Sequence, residues 1–255
     1  MTSQAPSALS LRNVRFQYPG RDWALRNVSL DVTRGRVLAV LAPNGRGKTT
    51  LLKLLAGAVE PQDGSVQVSG RIAFLPQDMR VSLAYTAFDV VLMGRARHVG
   101  LFSVPSKADE VLARDAFARV GISALQSRPF DQLSGGERRL VMFARALASQ
   151  AEILILDEPC SGLDLKNQGV VLGWISRLSR EGLTVVFTTH QPQHAEAVAD
   201  DALLIFAEDR RIWGPAGDLL TDENLSVLFD VPLRRLSIDN GATSISGIVP
   251  DWRIR

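Results

Sequence analysis

The chain has 255 residues, a length that fits one domain or a core carrying an inserted lobe, and 46% of them are apolar, enough for a sizeable interior. With 29 basic and 27 acidic side chains the formal net charge is only +2, and no basic arm stands out, so composition argues against a nucleic-acid partner. The single cysteine, Cys160, excludes an intrachain disulfide framework, and no apolar run approaches the roughly 18–20 residues that span a bilayer.

Residues 1–10 lack the basic-then-apolar pattern of a secretory signal, so the expectation is a soluble, cytoplasmic protein whose membrane role would need a separate partner. Residues 9–32 alternate apolar and polar positions (Leu9, Leu11, Val14, Phe16, then Val28, Leu30, Val32) around Tyr18-Pro19-Gly20, which predicts an antiparallel hairpin region. Val37-Leu38-Ala39-Val40-Leu41 is a continuous apolar run, the pattern of a strand buried on both faces. A glycine-bearing loop follows, then a helix through Leu51, Leu52, Leu54 and Leu55. Strands are expected near 66–68 and 72–75. From about Thr86 the spacing turns helical, through Val90, Val91 and Met93 and on through Val111, Leu112, Ala116 and Val120. Buried strands at 153–156 and 184–187 follow, each leading into a helical segment, while the last 25 or so residues are polar and mixed. Strands and helices alternating in this way predict an α/β protein with a mainly parallel sheet. The expected division is a core of residues 1–85 and 150–255, with a helical lobe, 86–149, inserted between them.

Three constellations carry chemistry. Ala42-Pro43-Asn44-Gly45-Arg46-Gly47-Lys48-Thr49-Thr50 lies between a buried strand and a helix, the context of a P-loop. Its glycines let backbone N–H groups cradle phosphate oxygens, and the helix end adds its dipole. Lys48 would reach the β- and γ-phosphates and the Thr49 hydroxyl would bind Mg²⁺. The strict pattern begins with glycine, and Ala42 stands there. Next, Ile153-Leu154-Ile155-Leu156 buries a strand and delivers Asp157 and Glu158 at its end, one carboxylate for Mg²⁺ and one to act as base toward water. Finally, Leu133-Ser134-Gly135-Gly136-Glu137 fits a capping box opening a helix, and Gly135 and Gly136 leave bare N–H donors at its positive end. A chain with one P-loop and a second anion-binding helix end suggests a dimer in which each copy closes the other's nucleotide.

Over roughly residues 9–235 the sequence resembles the ATP-binding-cassette (ABC) ATPases, chiefly through LSGGE lying between the P-loop and ILILDEP. The resemblance implies a P-loop NTPase core with an N-terminal antiparallel region and a helical lobe bearing LSGGE. It implies ATP hydrolysis with Mg²⁺, with Lys48, Glu158, His190 and Gln77 as catalytic residues and Thr49, Gln77 and Asp157 around the metal. Tyr18 would stack on adenine; residues Asn44 to Thr50 would hold the phosphates; Ser134, Gly135, Gly136 and Asp164 would act across a homodimer. Gln77, in Leu75-Pro76-Gln77, matches the family's Q-loop, and Ser161-Gly162-Leu163-Asp164 its D-loop; His190, after Thr188-Thr189, matches its switch histidine. His98 and His194 receive no role. Val90 to Arg95, Arg97-His98, Gly100-Leu101-Phe102, Pro105 and Thr188-Thr189-His190-Gln191-Pro192 are similar to importers of metal chelates: iron–siderophore, haem or cobalamin. The partners then implied are multispanning permease subunits, with the chain peripheral on the inner membrane face, and indirectly an extracytoplasmic binding protein. Other importers, exporters, non-transport ABC ATPases and a non-hydrolysing switch stay open. The lobe, about Ala87 to Pro129, is expected to carry a groove that couples it to a permease, and Phe88 is read either as part of that groove or as lobe core.

Overall fold

The computed structural model describes residues 6–77, 85–100, 103–207, 210–239 and 244–252. The first alternating segment folds as β1 (Ser7–Gln17) and β2 (Trp23–Thr33), antiparallel, around a turn in which Arg21 N–H donates to the Tyr18 carbonyl. The next strand, β3 (Val37–Leu41), leaves this sheet, and the chain enters α1 (Lys48–Leu55). It then returns as β4 (Asp63–Val68), which pairs with the free edge of β1 and completes a sheet of order β2-β1-β4.

Next come β5 (Ile72–Leu75), then α2 (Ala87–Leu92), a 3₁₀ turn over Met93–His98, α3 (Lys107–Val120) and α4 (Gly135–Ala148). The chain continues through β6 (Ile153–Leu156), α5 (Leu165–Arg180), β7 (Thr184–Thr189), α6 (Pro192–Val198), β8 (Asp201–Ile205) and β9 (Arg211–Pro215). Short helices α7 (Ala216–Leu219) and α8 (Asp222–Phe229) precede the hairpin β10 (Leu233–Asp239) and β11 (Ser244–Pro250). The second sheet has order β5-β6-β7-β3-β8-β9, parallel throughout except for β9. The fold is thus an α/β P-loop core with an N-terminal antiparallel sheet. The expected P-loop strand and the 153–156 and 184–187 strands sit side by side, with β7 between β6 and β3. The sequence reading passed over β8, β9 and the terminal hairpin.

Strand β3 explains why its run is unbroken. Val37, Ala39 and Leu41 face one core, shared with α5, α6 and the helices between β5 and β6. Leu38 and Val40 face the other, shared with β1, β2 and α1. β6 splits in the same way, Leu154 and Leu156 against Ile153 and Ile155. A strand buried on both faces has no polar position to alternate with.

Helices α2, α3 and α4 each open on a capping box: Thr86 with Asp89, Ser106 with Asp109, Ser134 with Glu137. Such caps contribute about 1 kcal/mol each. The Ser106 hydroxyl and N–H hold the Asp109 carboxyl at about 2, and Arg95 adds to this from 2.9 Å. Arg95 is buried and also donates to the Ala148 carbonyl, so it ties the 3₁₀ turn to both α3 and the end of α4. Phe88 is half-buried, stacks on Phe117 at 6.4 Å and lies under the Arg114 guanidinium. Of the two readings of Phe88, these contacts favour lobe core. Leu101 and Phe102, part of the metal-chelate pattern, lie outside the described residues.

Gly94 fixes how closely the 3₁₀ turn approaches α4, since a Cβ there would lie 2.3 Å from the Arg145 carbonyl oxygen. Gly94→Ala is expected to cost roughly 1–3 kcal/mol through overpacking. A thermal melt checks this, and an unchanged midpoint would contradict the close approach.

Candidate functional site

Three strand ends converge, because parallel strands present their C-terminal ends at one edge of the sheet. β3 delivers residues 42–50, β6 delivers Asp157 and Glu158, and β7 delivers Thr188, Thr189 and His190. Gly45 and Gly47 have φ of +78° and +79°. Gly47 is constrained twice, since a Cβ there would meet the Ala24 carbonyl oxygen at 2.5 Å. Ala42 is not among the positive-φ residues and its methyl is fully buried in the core under β1 and β2. The first loop position therefore accepts a Cβ without strain.

Lys48 begins α1 with its side chain 6% exposed. Its ammonium donates to the Ala42 and Pro43 carbonyls at 2.8 and 3.2 Å and stands 3.6 Å from Glu158 Oε1. Burial lowers its pKa, and the nearby Glu158 and Asp157 carboxylates oppose that shift. Asp157 is buried and accepts from two hydroxyls, Thr49 Oγ1 and Thr188 Oγ1, both at 2.7 Å. Thr188 Oγ1 in turn accepts from Glu158 N–H at 2.8 Å.

Glu158 holds its backbone at φ +45°, a conformation that costs an L-residue about 1–2 kcal/mol. The surroundings enforce it. Arg139 of α4 donates to the Glu158 carbonyl at 3.2 Å and to the Ser161 carbonyl at 3.3 Å, and Ser161 N–H donates to the Glu158 carbonyl. The result aims the Glu158 carboxylate, only 10% exposed, at three neighbouring side chains. Oε1 faces Lys48, while Oε2 accepts from Gln77 Nε2 at 3.4 Å and lies 3.4 Å from His190 Nδ1. Backbone strain concentrated at a reactive side chain is the usual mark of a working site.

A cleft of about 660 Å³ opens over this group. It is lined by residues 44–50, Gln77 and Glu158, and on its far wall by Tyr18, residues 21–24, Phe206 and Arg211. That volume suits a nucleotide-sized ligand. The Tyr18 ring packs edge-on against Phe16 at 4.9 Å, and its hydroxyl lies 3.5 Å from Thr50 Oγ1. Of the expected site residues, Tyr18, Asn44, Gly45, Arg46, Gly47, Lys48, Thr49, Thr50, Gln77, Asp157, Glu158 and His190 thus gather at one place. Ser134, Gly135, Gly136 and Asp164 do not line this cleft. Ser134 caps α4, with its hydroxyl accepting from Glu137 N–H, and Asp164 caps α5. Gly135 and Gly136 form the first turn of α4. The sequence reading passed over Thr188 and Arg139. No motif marks Arg139, and Thr188 stands out in the sequence only as a neighbour of His190.

The oxygens at this node are the Asp157 carboxylate and the Thr49 hydroxyl that meets it, hard ligands of the kind that suits Mg²⁺. No cluster of three or more His, Cys, Asp or Glu residues able to hold a metal occurs among the described residues. The ion would therefore depend on phosphate and water oxygens for most of its coordination.

The family model for ABC transporters matches residues 25–161. The molybdate import ATP-binding protein MolC of Haemophilus influenzae is 40% identical over 227 residues, 89% of each chain. The chelated iron transport system membrane protein YfeB of Yersinia pestis is 31% identical, over 96% of this chain and 89% of its own. A solved structure described as a metal-chelate type ABC transporter in an inward-facing conformation matches with a TM-score of 0.92 and 38% identity, covering 97% of this chain and 99% of that one.

Because Ala42 sits unstrained, Ala42→Gly is expected to lower stability by up to ~1 kcal/mol through unfolded-state entropy and a lost core methyl, without tightening ATP binding. Calorimetric titration of both sequences with ATP decides; a large affinity gain in the glycine variant would show hidden loop strain.

Proposed function

The chain belongs to the ABC transporter ATPase family and hydrolyses ATP, and from that premise we propose that it is the ATPase subunit of an importer whose cargo is a metal complex. Glu158 carries the catalytic reading: its carboxylate, held by a strained backbone, faces Lys48, Gln77 and His190 at the floor of the phosphate loop. In this reading ATP occupies the cleft with adenine against Tyr18 and phosphates on residues 44–50. Lys48 releases Glu158 and turns to the γ-phosphate. Glu158 then orients and deprotonates the attacking water, and His190 steadies the γ-phosphate. Thr49, Asp157 and Gln77 would hold Mg²⁺, which supplies charge neutralisation on the phosphate oxygens.

The first-turn N–H groups of Gly135 and Gly136 and the Ser134 cap do not line this chain's own cleft. A second copy would bring them to it, with Asp164 beside the crossing point. Hydrolysis would then reopen a dimer closed by two ATP molecules. No helix among the described residues is long and apolar enough to cross a membrane. We assign the translocation path to separate permease subunits, which would hold the chain at the inner membrane face and receive cargo from an extracytoplasmic binding protein.

The permease contact is assigned to a groove of about 330 Å³ between β5 and the helices, lined by Phe74, Met93, Arg97, Met142 and Arg145. Arg145 is half-buried there, and burial lowers its pKa, which favours an acidic or carbonyl-bearing partner segment. For cargo, the names of the relatives span molybdate, manganese and chelated iron. The segment from Val90 to His98, with Thr188 to Pro192, supports a metal chelate.

Two measurements test these readings. Glu158→Gln keeps shape but loses the proton acceptor; turnover is expected to fall by about 10²–10⁴ with ATP binding retained and closed dimer accumulating by light scattering. Near-normal turnover would remove Glu158 as base. Met93→Asp places a charge in the groove: basal ATPase should persist, while permease association and vesicle uptake should be lost. The same vesicles, offered ferric siderophore, haem, cobalamin and molybdate in turn, identify the cargo, and uptake of molybdate alone would reject a chelate.

A further inference from the structure

His194 lies four residues beyond His190, on α6, and the catalytic reading gives it nothing to do. It is buried, 6% exposed, in a position where an unsatisfied imidazole would be costly. Both ring nitrogens have partners: Nδ1 lies 3.2 Å from Thr189 Oγ1, and Nε2 lies 3.2 Å from Gln168 Oε1 on α5. Gln168 Nε2 donates to the Leu163 carbonyl at 2.9 Å, which leaves its Oε1 as an acceptor only. The imidazole must therefore carry its proton on Nε2. Burial and the neighbouring His190 lower the pKa of His194, which keeps the ring neutral and Nδ1 a bare acceptor. Thr189 Oγ1 accepts from Gln191 N–H at 3.0 Å, and of the two acceptors within reach of its own proton, His194 Nδ1 at 3.2 Å is nearer than the Gln191 carbonyl at 3.4 Å.

Every donor in this chain points the same way. Gln191 N–H gives to Thr189, Thr189 O–H to His194, His194 Nε2–H to Gln168, and Gln168 N–H to Leu163. One end is the residue before His190 and, through the β3–β7 pairing of Leu41 with Thr189, the strand that feeds the phosphate loop. The other end is the loop 161–164 that leads into Asp164.

We propose that His194 is a positioning residue that locks the loop 161–164 to the strand end carrying His190, so that occupation of the γ-phosphate site and the placement of the dimer-facing loop change together. This rests on the reading that the loop 161–164 meets a second copy. A directional hydrogen-bond chain suits the task because its members polarise one another and lose that gain together when any is removed.

The test uses His194→Phe, which keeps a ring but no bonds, and Gln168→Glu, which still accepts from Nε2–H but cannot donate to Leu163. Each is expected to lower kcat about tenfold with KM for ATP unchanged. The double variant should be no slower than either single one, since the chain is already cut. Amide hydrogen exchange in the loop 161–164 should rise in both single variants, while exchange in β3 and β7 stays at the native level. His194→Asn, which preserves only the Thr189 bond, should behave like Gln168→Glu. Native kcat in His194→Phe, or additive losses in the double variant, overturns the proposal. If His194→Phe proves unstable, Gln168→Glu alone decides through its kcat and loop exchange. Glu158→Gln run alongside separates the two readings: an inactive Glu158→Gln beside a fully active His194→Phe discards the relay and leaves the ATPase mechanism standing.

Discussion

A buried carboxylate with both oxygens occupied holds this site together. Asp157 is 2% exposed, and a charge so far from water is tolerable only when its lone pairs are met. Thr49 meets one from the phosphate loop and Thr188 the other from β7. Three strand ends that the sheet merely brings near are in this way fixed to about one hydrogen-bond length. Glu158 inherits its place from the same node, since its N–H donates to the hydroxyl that Thr188 turns toward Asp157. Loss of either threonine hydroxyl would leave a buried oxygen unmet, at about 1–3 kcal/mol or more for a charged group.

The neighbouring pair, Lys48 and Glu158, works in the opposite sense. At 3.6 Å and about 6% and 10% exposed, it is a desolvated ion pair of modest geometry. Pairs of this kind contribute little net stability, because desolvation offsets the attraction. That makes it easy to exchange. In the mechanism proposed above, a phosphate arriving at Lys48 would offer the ammonium a better partner and leave Glu158 free to face a water. Asp157 thus supplies rigidity and Lys48–Glu158 supplies an interaction that a ligand can replace.

Much of the fold was legible because its strongest signals are unbroken. Val37–Leu41 and Ile153–Leu156 read as doubly buried strands, and both are. The capping box at Ser134 was visible as S-x-x-E and forms as such. β8 was readable too, as Ala202-Leu203-Leu204-Ile205, but it follows a short helix with no glycine to punctuate it. The terminal hairpin carried a signal in Asn240-Gly241 between two mixed strands. Its half-exposed strands lack the apolar runs that mark the core, and it is held by side chains that no local pattern records: Gln193 on the Ile248 carbonyl and Arg235 on Glu196. Phe88 stayed undecided between groove and lobe core for a related reason, since its position after Gln77 says nothing of its contacts with Phe117 and Arg114. Arg139 and Thr188 act through distant backbone and side-chain atoms, and such contacts exist only once the sheet has assembled.

The chain's one cysteine sits two residues beyond Glu158, 3% exposed, with its thiol pushed up to about 11 by burial although Arg139 pulls the other way. At neutral pH it is neither thiolate nor reachable, and thiol reagents act on the exposed thiolate. A cysteine introduced at an exposed position outside the site would then be the single reactive sulfur per copy. The native sequence therefore already serves as a background for probes that report how far apart two copies stand through a turnover cycle, with no core residue sacrificed beforehand.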